Sequence, residues 1–147
     1  MIPGYKTHEL WSTHGGARIV PHDGPFPGVP SYFPESDGTV FRIIVLPPAQ
    51  DRVMDVDLSE EAVAELNAKL PGFLQHLELD NPGMHTTDSI DFGIVLSGEV
   101  DLELDNGAVR QLKAGDSVVQ NGTRHAWRNR SSQPTTMAFI LLGASRR

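Results

Sequence analysis

The chain contains no cysteine, which removes disulfides, thiolate metal sites and thiol nucleophiles together. It is also poor in cations: 12 Lys and Arg face 19 Asp and Glu, a formal charge of −7 with His neutral. Nucleic-acid affinity rests on clustered cations, so this balance argues against a nucleic-acid partner. No apolar run approaches the roughly 18 residues that a membrane span requires. The longest candidate, Met137 to Leu142, has the length of a strand. The opening Met1-Ile-Pro-Gly-Tyr-Lys lacks the charged-then-apolar build of a secretory signal, and there is no internal repeat. These absences point to a cytoplasmic protein that binds neither nucleic acid nor membrane. Its chemistry has to come from His, carboxylates and hydroxyls.

What is present is one domain's worth of chain, 147 residues, with 39% hydrophobic and 21% charged residues. That composition can bury a real core. Eight of the 11 prolines fall by Pro48, most densely in Gly24-Pro-Phe-Pro-Gly-Val-Pro30. Proline fixes φ and removes amide donors, so residues 1–39 read as an extended arm. Its aromatics Trp11, Phe26, Tyr32 and Phe33 suggest that the arm lies on something apolar. Val40 to Leu46 is β-branched enough for a strand and is stopped by Pro47-Pro48. A helix is expected over 58–70, with Asp57 as cap, Glu60 reaching back, and Ala62, Val63, Leu66 and Leu70 at helical spacing before Pro71-Gly72.

From Phe73 onward every segment is short and strand-like. Asp91 to Leu96 is one. Glu99 to Asp105 alternates strictly, with Val100, Leu102 and Leu104 on one face and carboxylates on the other. Asn106-Gly107 signals a hairpin, both residues tolerating positive φ. Val109–Leu112, Ser117–Gln120, Arg124–Asn129 and Thr135–Leu142 follow, separated by turn residues. The expectation is an all-β, antiparallel double-sheet, jelly-roll-like barrel with one helix and the Pro-rich N-terminal arm.

Two clusters carry candidate chemistry: His85-Thr-Thr-Asp-Ser-Ile-Asp91 and Gly122-Thr-Arg-His-Ala-Trp-Arg-Asn129. In a straight strand His85 and Asp91 would stand about 20 Å apart at roughly 3.3 Å per residue. A reversal at Asp88-Ser89 would instead bring His85, Thr87 and Asp91 together. His125 and Trp127 share a face by the two-residue period, as do His85 and Thr87. Asp91 lies between Ile90 and Phe92, where a carboxylate needs a partner, so it reads as a ligand, a base, or the partner of a buried cation such as Arg42, with a site role preferred. His76 reads as structural, His8, His14 and His22 as solvated, and Arg146-Arg147 as a solvated tail.

In these clusters the chain resembles a small single-domain cupin of the type 2 kind. The first cupin motif, G-x5-H-x-H-x3,4-E-x6-G, is matched by His85-x-Thr87-x3-Asp91-x6-Gly98. The second, G-x5-P-x-G-x2-H-x3-N, is matched by Gly115, then Gly122-x2-His125-x3-Asn129, with one residue fewer before Gly122. Thr87 replaces a histidine, Asp91 replaces a glutamate, and Leu79 stands where the first motif begins with Gly. The resemblance covers about Phe73 to Gly143 and implies a core barrel there, within a single domain of residues 1–147. It implies a divalent metal (Fe, Zn, Ni or Mn) on His85, Asp91 and His125, with Thr87, Trp127 and Arg42 lining a small-molecule pocket. The same three residues also suit an acid–base set with no metal. Cupin resemblance and the apolar outer face of Phe92, Ile94 and Leu96 together imply a homodimer. The functional expectation is lyase or isomerase chemistry, metal-assisted, on an oxygenated organic acid or carbonyl compound. A ferrous-iron dioxygenase and a non-catalytic binding module are the alternatives.

Overall fold

The computed structural model describes residues 4–16, 31–48 and 59–146. Eight strands alternate with short turns: β1 (Lys6–Thr13), β2 (Thr39–Leu46), β3 (Ser89–Ser97), β4 (Glu99–Leu104), β5 (Val109–Lys113), β6 (Ser117–Asn121), β7 (His125–Arg128) and β8 (Thr135–Gly143). They form a five-stranded sheet in the order β1-β2-β8-β3-β6 and a three-stranded sheet in the order β5-β4-β7. Every strand pair is antiparallel. The two sheets close over one core containing Val40, Ile44, Val95, Val100, Leu102, Met137, Phe139 and Leu141. In β2, β3 and β8 the inward positions alternate with outward ones, which fixes register because a one-residue slip would expose the whole buried set.

Several expectations need correction. Residues 1–39 are not simply an arm: Lys6–Thr13 is the edge strand β1, paired along β2 with an irregularity between Glu9 and Trp11. Tyr32 and Phe33 are core residues, while the Pro-rich stretch 24–30, with Phe26, and His22 lie outside the described residues. The helix α1 runs Glu60–Lys69, shorter than 58–70, and its cap is Ser59, whose hydroxyl accepts the Ala62 amide. Asp57 lies outside the described residues. In the β4–β5 turn only Gly107 takes positive φ, at 76°; Asn106 instead uses its side-chain oxygen to accept the Ala108 amide at 3.0 Å. None of the described helices is long and apolar enough to cross a membrane.

Outward from the five-stranded sheet, one apolar row crosses every strand in register: Trp11, Phe41, Ile140, Phe92 and Val119. All five are exposed, as are Ile94, Leu96 and Leu142 beside them. Large exposed apolar patches are uncommon on solitary soluble proteins.

Candidate active site

Two histidines meet at the inner side of the small sheet. His125 opens β7, and His85 stands opposite it in an isolated antiparallel bridge that also touches Leu77. The amide of each donates to the carbonyl of the other at 3.0 Å. Directly opposed residues in an antiparallel pair project on one side, and the ring centroids lie 4.4 Å apart at 52°. The Nδ1–H of His85 donates to Gly83 O at 3.0 Å, and that of His125 to Thr123 O at 2.8 Å. A carbonyl only accepts, so Nδ1 carries the proton in both neutral rings and Nε2 carries the lone pair.

Burial pushes His85 down to about 4, and the neighbouring imidazole of His125 adds to the effect. Burial also lowers His125, against the supporting bond to Thr123. Both rings are therefore neutral at pH 7, and two protons on the pair are disfavoured. Aromatic rings wall them in. Phe33 stacks near His85 at 5.9 Å, and Trp127 meets His125 edge-on at 5.7 Å. Phe139 backs Trp127 at 5.3 Å. His76 packs against Phe33 at 4.7 Å, with Nδ1 3.1 Å from Thr86 O.

Asp91 belongs to a second polar group. The chain bends at Asp88 without a hydrogen-bonded turn, and β3 starts at Ser89, so the expected reversal is absent. Thr87, Ser89 and Asp91 instead alternate along one extended run, all buried. Ser89 Oγ lies 2.6 Å from Asp91 Oδ1 and 2.9 Å from Thr87 Oγ1. A hydroxyl has one proton, so Ser89 donates to the carboxylate and accepts from Thr87. Burial raises Asp91, opposed by the Ser89 bond and by the charge of Arg42.

Arg42 is 2% exposed on β2. Its Nη2 donates to the Tyr32 carbonyl and stands 3.4 Å from Glu9 Oε2 on β1. The guanidinium carbon lies 3.7 Å from the Tyr32 ring centroid, and the Tyr5 and Tyr32 hydroxyls are 2.5 Å apart. A cleft of about 330 Å³ opens at the barrel end beside Thr87 and Ser89, with Asn121, Gly122 and Arg146 on its rim. Arg146 is not a free tail: it donates to Asp88 and to the carbonyls of Thr87 and Gly122. Arg147 lies outside the described residues.

The sequence pairing of His85 with His125, and of His125 with Trp127, is what the fold brings together. Asp91 joins Thr87 and Ser89, under the charge of Arg42, rather than the imidazoles. The donor chemistry fits a divalent metal only in part. Two neutral imidazoles with Nδ1 anchored on carbonyls are suitable ligands. The Asp91 carboxylate, held by Ser89 on the Arg42 side, does not complete them. Among the described residues no three of His, Asp and Glu form a group able to hold an ion. Sequence reasoning missed Phe33 as a wall, Ser89 as the link to Asp91, and Glu9 as the partner of Arg42. The alternation Tyr5, Thr7, Glu9 was the one signal that could have exposed the last.

Residues 78–141 match the model of the cupin domain family. A phomopsin biosynthesis cluster protein of Diaporthe leptostromiformis is 56% identical over 62 residues, 42% of this chain and 33% of the relative. A protein of Hypocrea virens described as a cupin-domain-containing oxidoreductase is 40% identical over 62 residues, 40% of this chain and 32% of the relative. The chain spans about a third of the length of these relatives. Among solved structures, a cupin 2 conserved barrel domain protein from Salinispora arenicola superposes with TM-score 0.50 at 18% identity, covering 95% of this chain and 76% of that one.

Proposed function

Because this chain folds as a small cupin barrel with its cupin domain at residues 78–141, we propose that it serves a small-molecule enzyme working by proton transfer. The reaction class is lyase or isomerase: dehydration, decarboxylation or tautomerisation of an oxygenated organic acid or carbonyl compound. The observation that carries this reading is the His85–His125 pair, two neutral rings 4.4 Å apart with Nδ1 anchored. One Nε2 takes a proton from substrate while the other accepts a hydrogen bond, and the pair then returns that proton at a second atom. His125, backed by Trp127, is the base. His85, held at about 4, is the acceptor. Thr87, Ser89 and Asp91 form the polar wall, and Arg42 faces the substrate's oxygen. No step is routed through a metal, since the three candidate ligands do not gather.

A second reading is a ferrous-iron dioxygenase; relatives 37–40% identical over about 40% of this chain, named cupin-domain-containing oxidoreductases, favour its redox class without naming iron or oxygen. Deuterium exchange next to the carbonyl, followed by NMR over a panel of 2-oxo and 2-hydroxy acids, tests the first. His125→Ala should cost about 10²–10⁴ in exchange rate while the β-rich circular dichroism persists. Unchanged exchange in both His85→Ala and His125→Ala would overturn the proposal. Oxygen uptake that requires added ferrous iron would establish the second reading, and saturable binding with neither activity would leave a non-catalytic module.

We further infer that two copies pair through the outward apolar row of the five-stranded sheet. The row spans every strand of that sheet, and a two-fold axis would set it against the same surface of a second copy.

A further inference from the structure

Four buried side-chain atoms among the described residues lack a hydrogen-bond partner, and all four sit on the inner face of β1 and β2. They are Nε and Nη1 of Arg42, Oε1 of Glu9 and Oγ1 of Thr7. Glu9 lies directly across from Arg42, and Thr7 across from Ile44 one step along the same face. Buried polar groups are almost always satisfied, so a concentration of orphans in one patch calls for a missing partner. The missing partner has a definite complement. Nε and Nη1 offer three N–H donors and want an acceptor. Glu9 Oε1 only accepts when ionised and wants a donor. The Thr7 hydroxyl takes either.

We propose that this patch is a subsite for a hydroxycarboxylate, whose anionic oxygen takes the unpaired N–H groups of Arg42 and whose hydroxyl donates to Glu9. It rests on the reading of the barrel interior as a substrate site and names what that site holds. Charge supports an anion over a neutral amide. Arg42 is enclosed with its cation and pairs with Glu9 Oε2 at 3.4 Å through Nη2 alone, so Nε and Nη1 keep unshared N–H groups that hold an anionic oxygen more strongly than a neutral one. Burial raises both Glu9 and Asp91, and the charge of Arg42 opposes the rise in each. The Tyr32 ring covers one face of the guanidinium, leaving the in-plane donors to do the recognition.

Titration calorimetry of the full chain at pH 7 with lactate, lactamide and propionate tests this. Lactate should bind at least tenfold more tightly than lactamide, which lacks the charge, and several-fold more tightly than propionate, which lacks the hydroxyl. Glu9→Gln should erase the preference for lactate over propionate, and Arg42→Lys should weaken lactate at least tenfold. Should Arg42→Lys fail to fold, the three ligands on the unaltered chain still decide. Equal binding of lactate and lactamide, no lactate binding at all, or a lactate-soaked crystal with only water on Arg42 would overturn the subsite. Proton exchange that proceeds on a neutral carbonyl compound alone would sink this inference and leave the enzyme reading. Lactate binding without exchange on any panel member would do the reverse.

Discussion

Acid should weaken this fold through one identifiable ring. His85 has an ordinary value of 6.5 and is held at about 4 in the folded chain. Folding therefore favours the neutral imidazole. Its contribution is complete above pH 6.5 and is lost as pH falls from 6.5 through 4. Each unit of difference is worth 1.36 kcal/mol, so between pH 7 and pH 4.5 the ring should cost the fold about 2 kcal/mol, allowing for its partial exposure. Asp91 and Glu9 act in the opposite sense, because burial raises both and a raised carboxyl stabilises the fold in acid. The raw acid profile is thus composite, and the difference from a variant isolates the ring. His85→Gln removes the titrating group, and the depression of His125 comes from its own burial, so it persists in the variant. Urea unfolding of both proteins with chelator present should show the gap between them closing by about 2 kcal/mol from pH 7 to pH 4.5. Parallel profiles would show that the ring is solvated in the fold, and the reasoning about a neutral pair would fail with them.

Gly98 closes the first motif at φ 80°, and a Cβ there would lie 2.8 Å from Thr135 Oγ1 and 2.9 Å from the Pro134 carbonyl. Gly98→Ala should therefore lower stability by about 2 kcal/mol or more, through left-handed strain and a clash with backbone, read by thermal unfolding. Phe92→Glu places a charge near the middle of the outward apolar row, and if two copies pair there as proposed, it should convert the dimer to monomer in analytical ultracentrifugation at micromolar concentration while leaving the circular dichroism unchanged. A variant that sediments as the unaltered chain does would remove that face as the interface.

The strands from β3 onward were legible because they are short apolar or alternating runs, strictly alternating in β4, and most end at or just before a glycine. Val100 and Leu102, placed together by that period, are both core residues. β1 was not legible. Lys6–Thr13 is an edge strand with an irregularity between Glu9 and Trp11, so its pattern is broken where a reader would look for it. The helix cap shifted from Asp57 to Ser59 because both residue types cap well, and only the fold chooses between them. The two histidines were visible as the first histidine of the first spaced motif and the histidine of the second. The influence of Arg42 on Asp91 was anticipated from the need of a carboxylate among apolar residues for a cation, but the Ser89 bond to Asp91 was not, because Ser89 read as part of a reversal rather than of the strand. Arg146 was read as solvent-bound since nothing local shows that its partners, Asp88, Thr87 and Gly122, come from distant loops.

The placement of β8 bears on how this molecule can be made. It is the middle strand of the larger sheet, hydrogen-bonded to β2 on one side and β3 on the other. A ribosome must therefore deliver Thr135–Gly143 before β1-β2 and β3-β6 can join. Until then each is a two-stranded ribbon, and such ribbons are marginal in water. Their β8-facing edges would stand open, and Phe41 and Phe92 would lack the neighbour, Ile140, that links them in the finished row. At roughly 5–20 residues per second this waiting interval lasts several seconds, long enough for unpaired edges to find other chains. Yield from an expression host should thus depend on chaperone supply during synthesis more than on the stability of the finished barrel.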